Sequence, residues 1–477
     1  MQQFLTRLAA RPAPAIFAFS LLLFCSGTWI LPLTDRDEPR FAEASREMLQ
    51  RGDYIVPWFN GTHRFDKPPL IYWAQMACYK LFGENAFAAR LPSALFAAGT
   101  SLLIFSWARR FTKWQTGIAA SVIFTTSLQM LANARLATAD MPMIFFVAAA
   151  AWSGWEMTRA DTNKKWFWIF HVSLALGFLA KGPVAWLPIG GLLLGKWLRP
   201  KEFDFSLPRF ALGMVLTLAI IAVWGIPALI ATNGEFFTVG IGHHVIFRSV
   251  GVMEGHGGKS LINYFLLLPF FFITFFFSFF PWAIRVPKAL WNWRSSSAAD
   301  TFGWYLLVQA GIVFLTFTLV RTKLPHYTLP AFPFIAIWIA RAIPGLKIFR
   351  WAAAMTVFIV SLTTAGFVAA KTEFASHQLF EQAKPFLKPE MKLAAVGYDE
   401  PSLVWEFRGI VTNDMQTLDA NEAAGFLRET NLSVLIVPTG FYKTNLASLA
   451  TNAVTVQVHG FNTVKGARVD LTAVINR

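Results

Sequence analysis

A chain of 477 residues that is 55% hydrophobic and only 14% charged is too poor in charge for an ordinary soluble protein, where about a quarter of residues are charged. Its formal net charge of +15 comes from lysines and arginines that punctuate apolar segments. That pattern fits the positive-inside rule of membrane proteins and excludes a basic nucleic-acid-binding face.

In chain order, Arg7 and Arg11 precede an apolar run resembling a signal sequence, but no small-residue cleavage site follows, so it reads as a retained anchor. At about 20 apolar residues per crossing, spans fall near 14–33, 87–107, 116–132, 141–157, 166–180, 183–197, 210–231, 261–284, 302–320, 327–340 and 351–370, about eleven in all. The break between the fifth and sixth rests on Lys181-Gly182-Pro183. The phenylalanine-rich run 270–280 reads as a lipid-facing surface. With a cytoplasmic N-terminus, the basic connections 109–113, 159–165, 196–209, 285–294 and 341–350 share one side. The loop 34–86, the turns 133–140 and 321–326, the loop 233–260 and the tail then face outward. Cys25 and Cys78 make neither a disulfide framework nor a metal motif and read as packing residues. The expected architecture is a polytopic α-helical membrane domain over 1–370, including the outward loop 34–86, and a soluble α/β domain over 371–477. The tail's β-branched runs 392–398 and 433–438 predict strands, and 421–430 has helical spacing.

Chemistry concentrates on the outward side. The run Thr34-Asp35-Arg36-Asp37-Glu38-Pro39-Arg40-Phe41-Ala42-Glu43 follows the first span directly, and Phe65-Asp66-Lys67-Pro68-Pro69-Leu70 lies in the same loop. So many charges beside an apolar segment are costly to desolvate, and they belong at the membrane surface facing water or a headgroup. A solvated amphipathic helix capping the first span is the plainer alternative. Further charges sit at the ends of later spans. Asp140 serves equally as a helix N-cap with Pro142 in the first turn, Lys181 as a snorkelling or C-capping residue, and His243 and His244 as ordinary loop histidines. Taken together with Arg248, Arg321, Lys323 and Tyr327, they pair carboxylates with several cations. Arg and Lys neutralise a departing phosphate while a carboxylate acts on the incoming group. That suits displacement at a sugar's anomeric carbon with a lipid phosphate as leaving group.

The run Asp37-Glu38-Pro39-Arg40-Phe41-Ala42-Glu43-Ala44-Ser45-Arg46-Glu47-Met48, then Gly52-Asp53 and Asp66-Lys67-Pro68-Pro69-Leu70, resembles the first periplasmic loop of bacterial polyprenyl-phosphate-dependent glycosyltransferases of the GT-C fold. The likeness is nearest to the lipid A aminoarabinose transferases, with the protein O-mannosyltransferases more distant, and covers about the first 345 residues. It implies a GT-C-like fold in the bacterial inner membrane and an undecaprenyl-phosphate-linked sugar donor. The implied acceptor is lipid A or another envelope glycan. It implies Asp37 as the essential loop carboxylate, with Glu38 beside it and Asp140 as a second acid. Arg40, Lys67, Lys181, Arg248 and Tyr327, with Lys323, are implied to hold the carrier phosphate. Asp66 and His243 fall where the aminoarabinose transferases hold a zinc ion, with Asp66 in place of a longer Glu, and Phe41 stands where a tyrosine is common. Two rival functions are a transferase acting on protein or O-antigen and a flippase for lipid-linked sugars. Transporters gather their charges near the midplane between repeated halves, whereas these charges lie at span ends with no visible repeat.

Overall fold

Small residues decide how the apolar helices meet. In the computed structural model, which describes residues 12–34, 36–159, 163–247, 260–294, 300–342, 347–370 and 373–477, the chain forms two compact units. The first comprises Met1–Cys25, Phe65–Ile71 and Arg90–Val360. Its core alternates alanines, such as Ala94, Ala97, Ala98, Ala119 and Ala120, with the large side chains Trp107, Trp155 and Tyr305. Short side chains let helix backbones approach closely where the hydrophobic effect gives little drive for association in lipid. The helix Asp140–Met157 packs against Lys165–Lys181, and Trp114–Thr125 against Phe332–Arg341. The buried Tyr305 hydroxyl donates to the Ala151 carbonyl at 2.8 Å and so ties two helices of the core.

Among the described residues, Ala86–Phe111, Lys165–Leu198, Leu207–Ala231 and Thr301–Leu319 are each long and apolar enough to cross a bilayer. The Lys181-Gly182-Pro183 break is a 3₁₀ turn, Gly182–Trp186, but it does not divide two crossings: Lys165–Leu198 is one candidate span where 166–180 and 183–197 were expected as two. The segment expected as one span over 261–284 is instead a pair, Ile262–Ser278 and Trp282–Arg294, bent by 105°. The phenylalanine run also departs from its lipid-facing reading. Phe271, Phe275 and Phe279, spaced four apart, are buried against the core, and Phe272, Phe276, Phe277 and Phe280 are exposed. Composition hid a helical stripe because buried and exposed positions alike carry phenylalanine.

The second unit comprises Ser26–Arg64, Tyr72–Ala89 and Ser361–Arg477. The tail thus shares its unit with most of the first loop instead of standing apart from residue 371. The loop contributes the helix Asp37–Arg51 and a two-stranded hairpin, β1 (Trp58–Phe59) and β2 (Thr62–His63). Asn60 and Gly61 make the turn with φ of 52° and 75°, the left-handed pair that a two-residue hairpin requires. A Cβ on Gly61 would also run into the Asp414 carboxylate. Gly61→Ala is therefore expected to destabilise this unit by about 1–3 kcal/mol, read as a lower unfolding midpoint in detergent.

The tail builds a five-stranded mixed sheet in the order β4-β3-β5-β7-β6, from β3 (Lys392–Ala395), β4 (Met415–Thr417), β5 (Ser433–Pro438), β6 (Val454–Asn462) and β7 (Ala467–Asn476). β3 pairs in parallel with β4 and β5, and β7 pairs antiparallel with β5 and β6. Alternate residues feed two cores. Val434 and Ile436 face the helices Ala375–Ala383 and Pro401–Phe407, while Leu435 and Val437 face Ala423–Glu429. The predicted strands and helix of the tail are all present. The β6–β7 hairpin was not anticipated, although its alternation is legible in Val454-Thr455-Val456-Gln457-Val458.

Candidate active site

The helix Asp37–Arg51 presents acidic residues in its first turn, where the unpaired backbone N–H groups favour negative charge. Asp37 and Arg40 are three residues apart and share a face. Their neighbour Glu38 differs in kind: it is buried, and its carboxylate accepts from the Thr34 backbone N–H at 3.3 Å and the Thr34 hydroxyl at 3.4 Å. Asp37 is exposed and Arg40 half-buried. Of the two adjacent acids, Asp37 is open to a substrate and Glu38 ties down the chain entering the helix. The solvated-helix expectation fails further along, since Glu43, Arg46 and Glu47 are all buried.

In the helical unit, two predicted site residues come together. The Lys181 ammonium donates to Asp140 Oδ1 at 2.5 Å, and the Thr138 hydroxyl donates to Oδ2 at 3.2 Å. Asp140 opens the helix Asp140–Met157, and Lys181 ends Lys165–Lys181, the helix packed against it. Each residue therefore sits at the terminus whose dipole suits its charge. The expected capping roles are not met, since Ala139 and Gly182 occupy the cap positions, and the two side chains form a part-buried ion pair with each other instead. His326, from the 3₁₀ segment Pro325–Ala331, lies near enough to act electrostatically on the Asp140 carboxylate. It was not among the expected site residues, although it stands beside Tyr327 in Lys323-Leu324-Pro325-His326-Tyr327.

Tyr327 packs on Phe317 at 4.9 Å and stacks on Phe271 at 6.5 Å between ring centroids. Lys323 shares those neighbours. Its ammonium donates to the carbonyls of Phe317 at 3.0 Å and Thr318 at 2.6 Å, the open end of Thr301–Leu319, and lies 5.3 Å from the Phe271 ring centre. Burial pushes its pKa down to about 8. Lys323 thus closes a helix end and sets the ring against which Tyr327 rests.

Lys67 donates to the Asp66 carbonyl at 3.0 Å. The segment Phe65–Lys67 lies against Phe236–Phe247: the Phe65 and Phe236 rings meet edge to face at 5.5 Å, and a Cβ on Gly240 would come within 3.0 Å of the Phe65 carbonyl. A side chain there would press on the Phe65 carbonyl, so the glycine eases the close pass of the two backbones. The element that leads toward Arg248 is thereby packed beside Asp66 and Lys67. Arg248 and the side chain of His243 lie outside the described residues. Among the described residues, no group of three or more His, Cys, Asp or Glu is placed to hold a metal ion. The zinc that the resemblance implies finds no complete donor set among them.

Comparison with known proteins gives the chain its relatives. Residues 66–226 match the dolichyl-phosphate-mannose-protein mannosyltransferase family. An uncharacterised protein of Aquifex aeolicus is 30% identical over 320 residues, covering 67% of this chain and 70% of its own length. The undecaprenyl phosphate-alpha-4-amino-4-deoxy-L-arabinose arabinosyl transferase of Edwardsiella ictaluri is 30% identical over 334 residues, 68% of this chain. The match spans 58% of that transferase's length. In three dimensions, the crystal structure of ArnT from Cupriavidus metallidurans bound to undecaprenyl phosphate aligns with a TM-score of 0.76 and 19% identity, over 96% of this chain and 97% of that one. The shared fold is the helical GT-C scaffold with a small C-terminal sheet domain. The first-loop motif, the relatives and the fold agree: the chain belongs to the GT-C family of polyprenyl-phosphate-dependent glycosyltransferases.

Proposed function

We propose that the protein transfers a sugar, 4-amino-4-deoxy-L-arabinose or another amino sugar, from undecaprenyl phosphate to lipid A or a related envelope glycan, with inversion at the anomeric carbon. The reaction takes place at the periplasmic face of the inner membrane, in a chain of about eleven crossings whose loop 34–86 and tail lie on that side. The name of the Edwardsiella relative supports the choice of sugar and carrier. The observation that carries the reading is the part-buried Lys181–Asp140 pair. A lysine held by one carboxylate at a helix end is a pre-aimed cation, and a leaving phosphate needs one.

In the proposed displacement, the acceptor oxygen attacks the anomeric carbon, the bond to the carrier phosphate oxygen breaks, and the phosphate departs with the electron pair. Asp37 orients the acceptor and takes its proton. Arg40, Lys67, Lys181, Arg248 and Tyr327 receive the phosphate, and Asp140 and Lys323 hold Lys181 and Tyr327 in place. Where the acceptor is itself a phosphate, little base strength is needed and alignment dominates. Glu38 serves as the brace for the helix entry. Mass spectrometry of lipid A from cells with and without the gene tests the assignment. An added aminopentose present only with the gene supports it. Unchanged lipid A beside altered protein or O-antigen glycans overturns the acceptor.

Lys323 gives this reading a pH signature. With its pKa near 8, its charge is present below that pH and lost above it. Transfer should therefore fall on the alkaline side near pH 8, and Lys323→Arg, which keeps its charge, should move that limb upward. An alkaline limb indifferent to the substitution would take the charge of Lys323 out of the support of Tyr327.

A further inference from the structure

The first-loop helix has a partner that the proposed chemistry does not use. Glu43, Arg46 and Glu47, at the i, i+3 and i+4 spacing of one helix face, are 0%, 4% and 1% exposed. Their partners come from the tail and the hairpin of the same unit. Arg46 donates to the Trp405 carbonyl at 2.9 Å, lies 4.4 Å from the Trp405 ring centre and pairs with Glu43. The Glu47 carboxylate accepts from the backbone N–H of Asn60 and, at 3.1 Å, of Gly61. Arg408 stands 3.6 Å from Glu47 and 3.9 Å from Glu43, and its other contact is Asp414. Asn60 then closes the circuit: its side chain donates to the Met415 carbonyl and accepts from the Met415 N–H, both at 2.7 Å, and so docks the hairpin onto β4 at the edge of the sheet.

Such a network is a poor way to gain stability. Buried ion pairs roughly break even against apolar residues of the same shape, but they fix one geometry where apolar contacts allow several. The details agree. Glu43 Oε1 and Arg408 Nε have no hydrogen-bond partner among the described residues and face each other across 3.9 Å as an ion pair. Burial pushes the Glu43 pKa up to about 7, against the pull of Arg46 and Arg408 and with the push of Glu47. The buried Tyr79 hydroxyl, which donates to the Ala42 carbonyl, feels the same carboxylate.

We propose that the C-terminal sheet domain is a positioning device for the catalytic loop, with Arg408 as the positioning residue that fixes the rotation of the helix Asp37–Arg51 and thereby the aim of Asp37 and Arg40. The inference rests on the reading that this helix carries the chemistry. It gives the tail, which holds no catalytic motif, a part in the reaction. A helix turned by one residue position swings its first-turn side chains by about 100°, and a misplacement of about 1 Å costs roughly a hundredfold in rate.

The test uses the full-length protein in vesicles with undecaprenyl phosphate-4-amino-4-deoxy-L-arabinose and lipid A. Arg408→Ala, Arg408→Lys, Asn60→Ser and Asp37→Asn are measured side by side for kcat, donor KM and unfolding midpoint. Arg408→Ala should lower kcat by about ten- to a hundredfold with donor KM within about twofold, and Arg408→Lys should recover part of the loss. A merely structural arginine would lower the amount of folded protein and leave the kcat of the folded fraction intact. Wild-type kcat in Arg408→Ala beside an inactive Asp37→Asn overturns the positioning role and leaves the loop reading standing. Full activity in Asp37→Asn brings down the loop reading and the inference with it. If Arg408→Ala does not fold, Arg408→Lys and Asn60→Ser decide: a lower kcat at an unchanged midpoint supports positioning, and an unchanged kcat overturns it.

Discussion

Asp37→Asn should lower sugar transfer by about 10²- to 10⁴-fold, the range set by losing a positioned proton acceptor, while leaving the unfolding midpoint and donor binding near wild type. The structure separates the three effects. Asp37 is exposed in the first turn of the helix Asp37–Arg51, so its removal opens no cavity and strands no buried partner. Glu38→Gln offers the contrast. Glu38 is buried and bound to Thr34, and an amide oxygen still accepts from both Thr34 donors, so the substitution should cost less in rate and leave a modest loss of stability. Assayed in vesicles with a lipid acceptor, the two neighbouring acids should differ by at least about tenfold in kcat. Equal losses would mean that charge density at the helix entry matters and not one aimed carboxylate.

The pH dependence of stability adds a check on the network behind that helix. Glu43 has a folded pKa raised to about 7, above its value of about 4.3 in an unfolded chain. The sign follows: the folded state binds the proton more tightly, so stability is full below about pH 4.3 and declines as pH rises through about 7. Glu43→Gln should flatten this decline between about pH 4 and 7, measured as the unfolding midpoint in detergent.

The sequence carried the chemistry-bearing segments because their residue types are rare in apolar surroundings. Asp140 and Lys181 stand out at span ends, and the motif around Asp37 is dense in charge. It did not carry what those residues do to one another. That Asp140 and Lys181 bond depends on the helices Asp140–Met157 and Lys165–Lys181 running back to back, a packing fact invisible to hydropathy. His326 escaped notice because a lone histidine beside a tyrosine has no periodicity. The hairpin at Asn60-Gly61 and the alternation in β6 were legible local signals that the dominance of apolar spans overshadowed. Glu43 and Glu47 read as solvated charges because Arg408, the guanidinium that faces both, comes from the far tail of the chain.

The second large effect concerns the ion pair in the helical unit, where stability and catalysis must be pulled apart. With side chains only 8% and 16% exposed, Asp140 and Lys181 each leave a nearly buried charge behind when the other is removed, at a cost of about 3–5 kcal/mol. Lys181→Met and Asp140→Leu should each lower expression and unfolding midpoint. The double substitution removes both charges, and its stability should return most of the way, since apolar side chains of similar volume replace such pairs with little loss. Transfer should not return. A leaving phosphate that has lost an aimed cation forfeits roughly 10²- to 10³-fold in rate, and no apolar side chain supplies that charge. A folded double variant with transfer near wild type would make the pair a helix-end fastening and shift the phosphate's charge partner to Arg40, Lys67 and Arg248. A folded double variant without transfer makes Lys181 the cation that Asp140 exists to aim.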